Sequence, residues 1–251
     1  MISDEAFEHA VEEENYFVSM TDMMVGMIFI FIILLMYYVL QFSTTISRFE
    51  DVNEARAKIA VELKEELERR GVAVTIEENS SVLRLKDNVL FDSGQPDVKL
   101  EGRPKVVSLA ESLRAVLPCY TDPSSGASQG NAKTACQNSP HRIESLFIEG
   151  HTDTDNFSGV GMVDNLDLSA KRAANVYRRL KIADGGLAQI CTKRETGRCV
   201  PVLSVSGYGS DRPVDGDFSA KDRNRRIDLR IVMHTPPTEE YRKVEAKVAG
   251  K

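Results

Sequence analysis

Residues 143–150 read IESLFIEG and residues 165–180 read NLDLSAKRAANVYRRL, with the polar run HTDTD at 151–155 between them. The first stretch predicts a buried strand over Ile143–Glu149, because its apolar residues form a short run bounded by polar ones. The second predicts a helix over Leu168–Leu180, because its apolar residues recur at helical spacing. This strand, polar loop and helix form the unit from which the surrounding sequence is interpreted.

The segments on either side of this unit predict further strands and helices. Alternating residues around a polar turn predict a hairpin of Val72–Ile76 with Ser81–Leu85. Polar loops with cysteines are predicted at 118–142 and 184–200. The remaining predicted elements are a helix over Lys99–Leu117, strands over Val202–Ser206 and Ile227–Met233, and a helical turn over Ala220–Asn224. Helices alternating with strands after a hairpin indicate an α+β fold, with helices packed on one face of a mixed sheet.

An apolar stretch near the N-terminus predicts a single transmembrane helix over residues 16–42. Residues 18–42 read VSMTDMMVGMIFIFIILLMYYVLQF, and Asp22 is their one charged residue. The 18 residues from Met23 to Leu40 rise about 27 Å as a helix, close to the thickness of a bilayer core. The run is longer than the apolar part of a secretory signal peptide, and an acidic segment precedes it.

Asp22 is the residue of this stretch for which a function is predicted. A carboxylate inside a membrane is costly, about 2.5–3.5 kcal/mol at mid-membrane, and usually faces a protein partner or an ion path. The alternative is that Asp22, with Ser19 and Thr21, caps the start of the helix at the interface, where its charge stays in water.

Residues 43–70 predict an amphipathic linker helix, because apolar residues recur there at steps of three and four. This stripe suits either a short two-stranded contact or a helix that lies on its own domain. The predicted divisions are an acidic cytoplasmic tail at 1–15, the membrane helix at 16–42, the linker at 43–70, a folded domain at 71–234 and a flexible tail at 235–251.

The charge of the chain is concentrated in its first fifteen residues. They hold six acids and no Lys or Arg, which accounts for the whole net charge of −6, and the rest of the chain is neutral. A neutral domain without a basic stripe argues against nucleic acid as a partner.

Four cysteines follow the membrane stretch: Cys119, Cys136, Cys191 and Cys199. They lack zinc-ligand spacing and predict structural disulfides in an oxidising compartment, with the local pairings 119–136 and 191–199 favoured among three. Basic residues near the membrane conflict with this, because Arg48, Arg56 and Lys58 would keep their side in the cytoplasm. Long domains translocate largely regardless of such charges, so a cytoplasmic N-terminus and a periplasmic domain are expected.

Three segments together resemble the OmpA-like peptidoglycan-binding domain, over roughly residues 82–233. They are VLFDSGQPDVKL at 89–100, IEGHTDTD with NLDLSAKRAANVYRRL, and VSGYGSDRPV at 205–214 with NRRIDLRI at 224–231. The resemblance implies that Asp153 and Arg172 hold the diaminopimelate residue of a stem peptide, supported by Thr152 and Asn165. The loop between Asp153 and Asn165 is several residues longer than is typical of that family.

The chemistry of the two side chains fits this role. Diaminopimelate carries an ammonium and a carboxylate on one carbon, and a carboxylate on a loop with a guanidinium on a helix can pair with both. Arg172 is expected to be exposed near the free N–H groups that begin its helix, so that its replacement would barely change stability. The alternatives are an ordinary surface salt bridge between Asp153 and Arg172, or a metal cluster of His151, Asp153 and Asp155, which lacks a further ligand nearby.

The order of membrane helix, connector and OmpA-like domain resembles the MotB-type stator subunits of ion-driven motors. The resemblance implies a homodimer inside a ring of five MotA-like subunits in the bacterial inner membrane, with Asp22 taking up and releasing a proton. The acidic tail and the lack of Trp are more similar to the B subunits of Zorya anti-phage defence systems than to flagellar stators. The alternatives are a flagellar stator and a passive envelope tether. The sequence shows no nucleophile motif, so we expect neither catalysis nor a cofactor.

Overall fold

The computed structural model describes residues 4–77, 81–122, 141–157, 159, 161–195 and 198–234, without the side chains of 4–19, 44, 45, 47, 48 and 193–195. The helices are α1 (Asp4–Arg69), α2 (Asp87–Leu90), α3 (Arg103–Val116), α4 (Asn165–Ala183) and α5 (Lys221–Asn224). The strands are β1 (Thr75–Glu77), β2 (Val82–Lys86), β3 (Ile143–His151), β4 (Cys191–Glu195), β5 (Arg198–Pro201), β6 (Leu203–Gly207) and β7 (Arg226–Met233).

The chain divides into two units, Met1–Asp51 and Val52–Lys251, and α1 contributes residues to both. Within the first unit, Met20–Ser43 is the one segment among the described residues that is long and apolar enough to cross a membrane. Its apolar side chains have no protein neighbours to bury them, as expected of a helix whose solvent is lipid.

The second unit contains a five-stranded mixed sheet in the order β1-β2-β7-β3-β6. Strand β3 runs parallel to β6 and antiparallel to β7, with Gly150 opposite Gly207 on one side and Ile227 on the other. Helices pack on one face of this sheet, as the sequence predicts. The apolar positions of β2, β3 and β7 alternate towards that face, as a sheet with one helical layer requires.

The second part of α1 belongs to the core of this unit. Ile59, Leu63 and Leu67 are fully buried with α3 and the sheet, whereas Ile46 and Phe49 of the same predicted stripe are exposed. Of the two alternatives for the linker, a helix that lies on its own domain is therefore correct for the residues from Ile59 onwards. Burial of three large aliphatic side chains stabilises this docking by several kcal/mol, at about 1.5–3 kcal/mol each.

Two glycines allow α4 to approach the sheet closely. A Cβ atom at Gly150 would lie 2.1 Å from the Ser169 carbonyl oxygen, and one at Gly207 would lie 2.5 Å from the Ala170 nitrogen. Any side chain at either position would push α4 away from β3 and β6. The glycines therefore fix the distance between the strand that leads to Asp153 and the helix that carries Arg172.

The segment 184–200, predicted as a loop, contains regular structure in its described residues, 184–195 and 198–200. It contains a short 3-10 helix, Gly185–Gln189, and the hairpin of β4 with β5. The Cys191–Cys199 disulfide joins the two strands, as predicted. Cys119 is also disulfide-bonded, whereas Cys136, its predicted partner, and the tail at 235–251 lie outside the described residues.

Candidate ligand-binding site

Asp153 lies two residues beyond the end of β3, where the chain leaves the sheet. Its Oδ2 atom accepts a hydrogen bond from Arg225 Nη1 at 2.6 Å, and its Oδ1 accepts one from the Asp155 backbone nitrogen at 3.2 Å. The Asp153 side chain is only 9% exposed, against 39% for Arg225. Asp153 holds the Arg225 guanidinium in its charged form and so raises the pKa of that group.

Thr152 precedes Asp153 in the chain, and Asn165 is hydrogen-bonded to its backbone. Asn165, the first residue of α4, donates from Nδ2 to the backbone carbonyls of Asp153 at 3.2 Å and of Asp155 at 2.8 Å. These bonds tie the loop after β3 to the start of α4. Thr152 is buried, and its backbone nitrogen donates to Gly209 at 2.9 Å. Both residues predicted to support the site therefore lie next to Asp153.

Arg172 is buried, with 2% of its side chain exposed. Its guanidinium donates to Asp87 Oδ2 at 2.9 Å, to the Gln95 carbonyl at 2.8 Å and to the Asp92 carbonyl at 3.2 Å. It also lies over the Phe91 ring, 5.0 Å from the centroid. Burial lowers the pKa of Arg172, and Asp87 partly restores it, but a guanidinium stays charged at neutral pH.

These contacts correct two expectations about Arg172. It is not an exposed residue beside free N–H groups, because it lies about two turns inside α4, whose first turn is capped by Asp164 at 3.0 Å from the Asp167 nitrogen. The alternative of an ordinary surface salt bridge with Asp153 is also wrong, because Arg172 is buried and its ion-pair partner is Asp87. Asp153 is nevertheless close enough for its charge to raise the pKa of Arg172.

Asp87 and Arg225 are the site residues that the sequence analysis missed. Asp87 follows β2 directly. Arg225 lies in the NRRIDLRI segment, which is part of the resemblance to the OmpA-like domain but suggests no role for this arginine. Burial raises the pKa of Asp87, while Arg172 and Arg225 oppose that rise. Two acids and two arginines thus share one electrostatic neighbourhood, with the charges balanced pair by pair.

Two buried oxygens of this cluster have no hydrogen-bond partner among the described residues: Asp87 Oδ1 and Thr152 Oγ1. Buried polar atoms are rarely left unpaired, because desolvating them costs about 1–3 kcal/mol each. Both atoms could accept a hydrogen bond from a water molecule or from a bound ligand. The cluster therefore contains two hydrogen-bonding oxygens that no described protein group pairs with.

The predicted metal alternative fails in the structure, because its three residues have separate partners. Asp153 pairs with Arg225, Asp155 pairs with Lys221 at 2.5 Å, and His151 lies instead near Glu149 and Asp228. The latter two carboxylates already accept hydrogen bonds from arginines: Asp228 from Arg226 at 2.9 Å and Arg84 at 3.2 Å, and Glu149 from Arg230 at 2.9 Å. Three guanidinium groups around the carboxylates disfavour a further cation.

Asp22 lies within α1, about five turns from the first residue of that helix, Asp4. The cap alternative, in which Asp22 begins the helix with Ser19 and Thr21, is therefore wrong. Asp22 is the third residue of the apolar segment Met20–Ser43 and is exposed in its unit.

Comparison with known proteins gives structural likenesses alone. No protein-family model matches the chain, and no curated protein matches its sequence. A MotB-like protein from Desulfovibrio vulgaris is 20% identical, with 76% of this chain and 98% of that one covered and a TM-score of 0.47. The T6SS cell wall anchor from Pseudomonas aeruginosa is 18% identical, with 71% and 99% covered and a TM-score of 0.44. The periplasmic domain of Helicobacter pylori MotB is 16% identical, with 70% and 86% covered and a TM-score of 0.41. Likeness at this level assigns no function.

Proposed function

We propose that this chain is a single-pass inner-membrane protein whose folded domain binds peptidoglycan through the diaminopimelate residue of the stem peptide. The observation that carries this proposal is that four residues named from sequence motifs share one site: Thr152 and Asp153 just after β3, Asn165 hydrogen-bonded to the Asp153 backbone, and Arg172, whose pKa the Asp153 charge raises. The site contains a carboxylate that is 9% exposed, a buried guanidinium and two buried oxygens with no hydrogen-bond partner among the described residues. Such a set suits a group that carries an ammonium and a carboxylate together.

The test for this function is a pull-down of the full chain, in detergent, with diaminopimelate-type sacculi. Asp153→Asn removes the charge that an ammonium requires and keeps the size of the side chain. We expect it to lose binding, whereas Asp155→Asn, two residues away and exposed, serves as the matched control and should bind normally. Binding retained by Asp153→Asn would place the ligand elsewhere. Arg172→Ala is a poor test, because burial makes its effect on folding large.

The periplasmic placement of this domain is part of the proposal. The Cys191–Cys199 bond supports it, because structural disulfides persist in oxidising compartments. Alkylation of freshly isolated membranes without reduction, followed by mass spectrometry, should label neither of these cysteines. Labelled thiols at Cys191 and Cys199 would argue for a cytoplasmic domain.

We further propose that the membrane helix belongs to an ion-driven motor, in which two copies sit inside five MotA-like subunits and Asp22 carries protons. Its role would be transport and binding rather than catalysis. One charge crossing about 150 mV is worth roughly 3.5 kcal/mol, enough to bias rotation around a dimer held by peptidoglycan. The lone carboxylate of an apolar segment supports this role. The sequence features shared with Zorya B subunits favour anti-phage defence as the setting, with a flagellar stator as the alternative.

Asp22→Asn separates the motor from a passive tether. The variant keeps the shape of the side chain but cannot gain and lose charge, so it should assemble normally and abolish proton flux and protection from phage. Asp22→Glu should retain part of both. A passive tether predicts full function for Asp22→Asn, and a flagellar stator predicts a loss of motility instead of protection.

A further inference from the structure

The Asp153 carboxylate already has a cation bound to it. Arg225 Nη1 lies 2.6 Å from Asp153 Oδ2, and the other oxygen accepts from the Asp155 backbone. Arg225 directly follows α5, and its guanidinium is bound to a carboxylate that is only 9% exposed. An incoming ammonium group therefore competes with this guanidinium for Asp153.

Arg225 has a second acidic partner, which is exposed to solvent. Its Nη2 atom also contacts Asp222 Oδ1, on a side chain that is 92% exposed. The guanidinium thus bridges a nearly buried acid and a solvated one. If the guanidinium leaves Asp153, it stays paired with Asp222, so the positive charge of Arg225 keeps an acidic partner. An open surface cavity of about 490 Å³, lined by residues 219–223 and Arg225, provides room for the displaced side chain.

Arg172 differs from Arg225 in just these respects. It is buried, donates to three acceptors from different segments and has no exposed acid as an alternative partner among the contacts described above. Of the two arginines in the cluster, Arg172 is buried among three acceptors, whereas Arg225 is 39% exposed and pairs with two acids.

We infer that Arg225 is an internal substitute for the ammonium group of the ligand, and that binding releases it from Asp153 while it stays paired with Asp222. This inference rests on the proposed peptidoglycan-binding function and adds a specificity element to it. Asp153 is shielded enough that leaving it unpaired is unfavourable. A cation therefore occupies it in both states, supplied by Arg225 in the free protein and by the ligand in the complex. A ligand without an ammonium could not compete for the position.

The experiment measures binding of a purified muramyl tetrapeptide with meso-diaminopimelate to the full chain in detergent, by calorimetry. Arg225→Ala removes the competitor, so we expect about two- to fivefold tighter binding, the value of a partly exposed ion pair. Asp222→Ala removes the alternative partner and holds Arg225 on Asp153, so we expect about two- to fivefold weaker binding. Arg178→Ala is the matched control, because Arg178 is an exposed arginine of α4 that hydrogen-bonds Asn175, and it should change binding less than twofold.

The outcomes separate this inference from the function on which it rests. No binding by the original chain and by every variant would overturn the proposed function. Normal binding by the original chain with weaker binding by Arg225→Ala would overturn the inference alone, since Arg225 would then contact the ligand. Equal shifts in Arg225→Ala and Asp222→Ala would also overturn it. Hydrogen exchange of β3 checks that each variant is folded, and Arg225→Gln replaces Arg225→Ala if the latter is not.

Discussion

Arg172 Nη1 and Asp87 Oδ2 form a buried ion pair at 2.9 Å, between side chains that are 2% and 7% exposed. The two residues stand 85 positions apart in the sequence. The pair joins α4 to the segment after β2, and the Gln95 and Asp92 carbonyls complete the coordination of the guanidinium. Arg172 therefore stabilises the fold and also adds a buried positive charge near Asp153.

Arg172→Ala should destabilise the domain by about 3–5 kcal/mol, because it leaves the Asp87 carboxylate buried without its partner. Hydrogen exchange of the full chain in detergent should report this as a loss of protection in β3 and β7. Arg178→Ala, on the exposed face of the same helix, is the control and should change protection by less than about 0.5 kcal/mol. Equal protection in the two variants would contradict the structural role of the pair.

Gly150→Ala tests the close approach of α4 to the sheet. The added methyl group would lie 2.1 Å from the Ser169 carbonyl, so helix and strand must separate. We expect a loss of about 1–3 kcal/mol or more in the free energy of unfolding, together with weaker ligand binding, because Arg172 moves with α4. Gly185→Ala is the control, because nothing lies within 4 Å of the added atom. An unchanged protein after Gly150→Ala would mean that α4 does not pack as described.

Leu63→Ala tests whether the second part of α1 belongs to the core. Leu63 is fully buried with α3 and the sheet, so its truncation should cost about 2–5 kcal/mol. Val61→Ala, on the same helix and 48% exposed, should cost far less. Hydrogen exchange of α3 in the two variants gives the comparison. Similar protection in both would indicate that the helix is not docked.

Much of the fold is predictable from local sequence pattern, and the contacts of the site are not. The strand β3 and the helix α4 follow from apolar periodicity, which depends only on near neighbours in the chain. The sequence predicts a loop where the structure has the hairpin of β4 with β5, because TKRETGR is polar and charged. In the structure the two strands pair, and the Cys191–Cys199 bond joins them. Periodicity of apolar residues cannot reveal a hairpin whose strands are polar.

The ion pairs of the site show the same limit more strongly. The motif resemblance identified Asp153 and Arg172 but not their partners, which lie 72 and 85 residues away. Whether a charged side chain is buried depends on which distant acid the fold brings to it. For that reason the sequence predicted an exposed Arg172, and the structure buries it against Asp87.

His151 provides a test of pH dependence. Its ring is buried and stacks on Tyr208 at 5.3 Å, and its Nε2 atom lies 3.5 Å from Asp228 Oδ2. Burial, together with the positive charges of four surrounding arginines, lowers the pKa of His151 to about 3: Arg226, Arg84, Arg230 and Arg212, from β2, β7 and the loop after β6. The imidazole is therefore neutral at physiological pH and forms no ion pair with Asp228.

The sign of the pH effect follows from the two protonation states. The unfolded chain binds a proton at His151 below about pH 6.5, whereas the folded domain does not until about pH 3. Acid therefore favours unfolding, and the contribution of neutral His151 is complete above pH 6.5 and is lost as the pH falls towards 3. The slope approaches 1.4 kcal/mol per pH unit, so the loss from this residue at pH 5 is roughly 2 kcal/mol.

His151→Gln should flatten the pH dependence of stability between pH 6.5 and 5, since glutamine does not titrate. The measurement is hydrogen exchange of β3 and β7 in the full chain at several pH values, corrected for intrinsic exchange rates. His234→Gln makes the same replacement at an exposed histidine of the same domain, and its slope is compared with that of His151→Gln. The carboxylates of the domain are the same in all three proteins, so the difference between the slopes measures the contribution of His151 to the pH dependence of stability. Identical slopes in His151→Gln and the original chain would show that His151 binds its proton equally well in the folded and unfolded states.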